Sequence, residues 1–68
     1  MSRIVNIIIT ELASDVMKHE EAMETAINGK DDINGRVENI KYHLGKIVQT
    51  ELMIEKWKNY TSVLNNNG

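Results

Sequence analysis

Two long stretches of helix-period apolar residues are interrupted once, at Asn28-Gly29-Lys30-Asp31-Asp32. No proline stands anywhere to end a helix sooner. The break therefore predicts an all-α fold, a two-helix antiparallel hairpin over residues 1–64. The first helix is expected at about 3–28, the turn at 29–32 and the second helix at about 33–64, with 65–68 a disordered tail. The pattern also limits what the fold can bury. Two helices side by side enclose little, and 68 residues lie near the lower size limit for a chain that folds alone.

In the first segment Val5, Ile9, Leu12, Val16, His19, Met23 and Ala26 recur every three or four residues, which is the seam of an amphipathic helix. Ile8, Ala13, Ala22 and Ile27 widen that seam. Ser2 is the expected N-cap, and Gly29 sits where a left-handed C-cap residue belongs. In the second segment Asp31 or Asp32 can cap the helix start, while Asn34-Gly35 competes by favouring a longer turn. Ile33, Val37, Ile40, Leu44, Ile47 and Ile54 form one stripe, and Met53, Trp57, Tyr60 and Leu64 form another, rotated around the helix. Gly45 lies inside this helix and is expected to admit close approach of the first, near Val16.

Folding at the turn brings His19 level with Tyr42 and His43, Leu12 with Gln49, and Ile4 with Trp57. The turn end is charged, with Glu20, Glu21, Glu24, Lys30, Asp31 and Asp32. The open end carries Ile4, Ile8, Met53, Trp57, Tyr60 and Leu64 on more faces than one neighbouring helix covers. These six are the expected partner-binding residues, because a contiguous apolar patch marks an interface. The hairpin is accordingly expected to pack as a homo-oligomeric helical bundle and to bind a further protein.

Eight basic and ten acidic side chains leave a formal charge of -2, which disfavours a footprint built on many phosphate contacts. No cysteine is present to make a disulfide or thiolate site. Ile4-Val5-Asn6-Ile7-Ile8-Ile9 is too short to span a bilayer and lacks the flanks of a signal peptide, so a cytoplasmic location is expected. Frequent asparagine, isoleucine and lysine fit an A/T-rich genome, such as that of a bacterium or its phage.

No catalytic constellation is visible, and neither enzymatic activity nor a cofactor is expected. His19 is out of place on the apolar seam; with His43 and Glu20 or Glu51 it would be a partial metal site. The Glu-x-x-His spacing of di-iron bundles is absent at both histidines, and a polar layer that sets pairing register is the favoured reading. Glu51, between Ile47 and Ile54, is read as an ion-pairing residue. Lys30 and Lys41 occupy the first and last positions of what would otherwise resemble a calcium loop, so no metal is expected there.

The alternative function is an oligomer that sequesters a nucleotide signal or a short nucleic acid between subunits. Tyr42, His43, Lys46 and Lys56 would then supply stacking rings and cations. Small phage proteins that sequester cyclic nucleotides are similar in architecture, as oligomeric helical hairpins. A third alternative starts from Arg3 to Thr10, whose β-branched residues suit a strand. A strand followed by two helices resembles the ribbon-helix-helix DNA-binding regulators, although neither face of the segment offers a polar reading surface.

Overall fold

The computed structural model describes the backbone of residues 3–67 and the side-chain surroundings of residues 3–61. It contains two helices, α1 (Arg3–Asn28) and α2 (Ile33–Asn67), packed along their length as an antiparallel hairpin. The turn falls at 29–32, as the break predicts. Ser2 lies outside the described residues, and so does the side chain of Leu64.

Arg3–Thr10 is helical, so the strand that the ribbon-helix-helix alternative needs is not formed. The reason lies further along. Val5, Ile8, Ile9 and Leu12 continue the spacing of Val16, His19 and Met23, and all seven are buried or half-buried against α2. A strand would break that continuous seam. At the other end α2 runs through Asn67, past the expected end at residue 64 and into the stretch read as a tail.

Two local expectations are corrected at the turn. Gly29 does not adopt a left-handed conformation. Instead Arg36, one turn into α2, reaches back to the end of α1. Its Nε donates to the Ala26 carbonyl at 2.9 Å, and its terminal nitrogen donates to the Ile27 carbonyl. These are among the last carbonyls of α1, which have no partner within the helix. A guanidinium fork placed there satisfies two of them and meets the negative end of the helix dipole. The start of α2 is capped as expected, since Gly35 N–H donates to Asp32 Oδ2 at 3.2 Å and Arg36 N–H to the Asp32 carbonyl at 3.0 Å. With Asp32 holding the first turn, Asn34-Gly35 does not lengthen the loop.

The α2 face that meets α1 is also rotated from the expected stripe. Arg36, Ile40, His43, Ile47, Thr50, Ile54, Trp57 and Thr61 are buried or half-buried, and their spacing alternates strictly between four and three. Ile33, Val37 and Leu44 lie to one side of this seam and are exposed by 67%, 46% and 49%. Gly45 does not face α1 at all. A Cβ built on it would meet nothing within 4 Å, so it permits no close approach to Val16.

The enclosed core is minimal. Only Val16, Ile47 and Thr50 are buried among the described residues, and no side chain is completely enclosed. The molecule measures 54 × 15 × 11 Å, with a radius of gyration of 15.9 Å. A compact chain of this length would have a radius of about 11 Å. Its 5416 Å² of accessible surface exceeds by about 1,000 Å² the roughly 4,400 Å² expected of a compact monomer of 7.8 kDa. No helix among the described residues is long and apolar enough to cross a membrane.

Candidate functional site

The open end presents the most developed surface. Trp57 and Tyr60 are three residues apart on α2, and their rings meet edge to face with centroids 6.2 Å apart. That contact fixes the orientation of both rings without burying them, since Trp57 is half-buried and Tyr60 is 61% exposed. Trp57, Tyr60 and Lys56 line an open depression of about 310 Å³. A second depression of about 320 Å³, lined by Gln49, Leu52, Met53, Lys56 and Trp57, adjoins it. Shared Lys56 and Trp57 make the two one continuous apolar groove along α2. Met53 and Leu52 contribute exposed side chains to its far half. On α1, Ile4 is 68% exposed and Ile8 half-buried at the same end of the hairpin. Five of the six residues expected to bind a partner thus lie at one end of the molecule. Leu52 and Lys56 were not among them, although Lys56 lies one helical turn from Met53 and Leu52 one turn from Lys56, so a helical projection of the stripe includes both.

The residues of the nucleotide alternative divide into two places. Tyr42, His43 and Lys46 converge in the half of the hairpin nearer the turn, where the Lys46 ammonium stands 5.7 Å from the centre of the Tyr42 ring. Lys56 belongs to the Trp57 groove instead. Ten residues of helix put it about 15 Å from Lys46 along the axis.

The histidines do meet. His19 Nδ1 and His43 Nδ1 are 2.8 Å apart, and Tyr42 sets an edge against both rings, at 6.4 Å from His19 and 5.1 Å from His43. Such a contact needs one proton in the gap, with one ring donating from Nδ1 and the other accepting. The pair is therefore a hydrogen-bonded layer across the seam. It lies between the apolar layer of Val16 with Ile47 and that of Met23 with Ile40. No cluster of three or more histidine, cysteine or carboxylate groups suited to a metal ion occurs among the described residues. Glu20 and Glu51 are both exposed. Thr50 takes the seam position beside Glu51, a buried polar residue that the apolar stripe reading passed over. The alternating four-three spacing from His43 to Thr61 is the signal that finds it.

Elsewhere charge is held on the surface. Lys41 and Glu38 pair at 3.6 Å with both side chains largely exposed, a geometry that contributes little to stability. Comparison with protein-family models, curated proteins and solved structures gave no match.

Proposed function

We propose that the chain is a small non-enzymatic interaction protein, a regulator, adaptor or inhibitor, that works as a subunit of a helical bundle. Its working surface is the open end, where it holds another protein in the cytoplasm. The observation that carries this reading is the Trp57 groove. Two aromatic rings held by one another, flanked by exposed Met53 and Leu52, form the kind of anchor that dominates protein–protein binding energy. The groove runs along a helix, which suits an amphipathic helix or an extended apolar segment of a partner.

The test is affinity capture with the full chain and with Trp57→Ala/Tyr60→Ala. A specific protein retained by the first and lost with the second supports the reading; equal recovery on both refutes it. The nucleotide alternative keeps one favourable observation, the Lys46 ammonium over an exposed Tyr42 ring. A nucleotide panel in a thermal-shift assay separates the two. A nucleotide-induced shift reduced by Lys46→Ala would favour sequestration over protein binding.

A further inference from the structure

We propose that the His19–His43 pair is a pH-sensitive latch on the hairpin, closed by one proton between the two rings and opened when acid supplies a second. The pair joins α1 to α2 through two titratable groups, since the two Nδ1 atoms stand 2.8 Å apart in a part-buried contact. Apolar layers lie on either side, Val16 with Ile47 and Met23 with Ile40, all four buried or half-buried. Charge placed in such a layer is screened less than charge in open water.

The protons can be counted. A neutral pair holds one proton in the gap, on Nδ1 of the donor ring, and Nδ1 of the other ring accepts it. A first added proton goes to Nε2 of the donor ring, outside the gap. It makes the donor cationic and strengthens the contact. A second added proton has only the acceptor Nδ1 left to bind. Two N–H donors on two cationic rings would then face each other across 2.8 Å, and the contact cannot persist.

The surroundings do not supply a substitute. Tyr42 sets its ring edge against both imidazoles and is neutral near and below pH 7. The charged groups one helical turn from the pair are Asp15 on α1 and Lys46 on α2, of opposite sign. Lys18 and Glu20, beside His19 in sequence, are exposed, and Lys41 is paired with Glu38. Carboxylate and ammonium side chains keep their charge between about pH 5 and 7.5. The chain has two histidines, so across that range these imidazoles are the side chains that change.

The direction of the effect follows. A free imidazole gains its proton near pH ~6.5. Well below that, the unfolded chain carries two added protons and the closed hairpin one. Stability falls with falling pH wherever the unfolded state binds more protons, and a difference of one proton approaches a tenfold loss in the folding equilibrium per pH unit. Well above it neither state carries an added proton, and the dependence vanishes.

The experiment is urea unfolding followed by far-ultraviolet circular dichroism, at one protein concentration and at about pH 7.5, 6.5, 5.5 and 5. Wild type should lose roughly tenfold to thirtyfold in its folding equilibrium constant from the highest pH to the lowest. His19→Leu/His43→Leu removes both titrating groups and should change by less than about threefold. His43→Leu leaves His19 with no ring across the gap and should be equally flat. If it keeps half of the wild-type effect on a logarithmic scale, the rings titrate separately and the shared proton is wrong. A wild-type constant that stays within about threefold would overturn the latch. So would a double variant that still loses tenfold or more, since the response would then arise elsewhere. The wild-type and double-variant profiles decide the matter whether or not His43→Leu folds.

Discussion

Arg36 closes the hairpin, and its removal should be among the most damaging single substitutions. In Arg36→Ala the Ala26 and Ile27 carbonyls lose both donors at once. A hydrogen bond to a charged donor contributes about 1.5–3 kcal/mol when well shielded. The Ala26 contact is only part-buried and the Ile27 contact is exposed, so water replaces much of that value. Taking about 1.5 kcal/mol for the two bonds and ~0.5 kcal/mol for the helix-end charge gives about 2 kcal/mol. The unfolding entropy of roughly 2.1 cal/mol/K per residue gives ~0.14 kcal/mol/K for the whole chain, so melting should fall by roughly 14 °C. The assay is thermal melting followed by far-ultraviolet circular dichroism, at one fixed protein concentration because association raises apparent stability. Arg36→Lys should recover less than half of the loss, since an ammonium cannot fork between two carbonyls. A melting point for Arg36→Ala within about 3 °C of wild type would refute the claim that this side chain, and not a glycine, terminates α1.

Two further substitutions test the seam by the same melting assay. His43→Leu leaves His19 without its 2.8 Å partner in a part-buried layer, and should destabilise by about 1–2 kcal/mol; His19→Leu/His43→Leu should recover most of that loss, because removing both partners leaves no polar group unsatisfied. Gly45→Ala should stabilise by roughly 1 kcal/mol, since the added Cβ meets nothing within 4 Å and glycine is unfavourable inside a helix; a fall in melting temperature would show that another helix approaches there.

What was legible in the sequence follows from how many surfaces each helix serves. Along α1 the seam residues from Val5 to Ala26 face one neighbour, so their spacing identifies the buried face directly, although Ala13 and Ile27, expected to widen the seam, are exposed with Ile4, Ile7 and Met17. The α2 stripe from Ile33 to Ile54 mixes two faces. Ile40, Ile47 and Ile54 meet α1, whereas Ile33, Val37 and Leu44 do not. Hydropathy cannot separate them, because it records that a residue avoids water and not what it touches. Thr50 escaped for the opposite reason. It reads as surface by composition and is placed on the seam by the four-three alternation, whereas His43 was legible as the residue level with His19. The Arg36 cap has no local signature. A glycine after a helix is the common terminator, and only the tertiary approach of α2 makes an arginine seven residues later a better one.

The division of α2 into separate faces bears on what kind of molecule this is. A helix that served only as the second leg of a hairpin would carry one apolar stripe and charge elsewhere. Here the α1 seam, the Ile33–Val48 flank and the Trp57 groove occupy three different sectors of one 35-residue helix. Each exposed apolar sector raises the risk of non-specific association, and a chain with only three buried side chains among the described residues has little stability to set against that risk. The flank and the groove are therefore best explained as surfaces in use. The flank is aliphatic, with Ile33, Val37, Leu44 and Val48 exposed along the turn half of α2, and does not itself identify the chain that would cover it. The groove is asymmetric, aromatic and confined to the far end of α2, which suits a chain of another sequence.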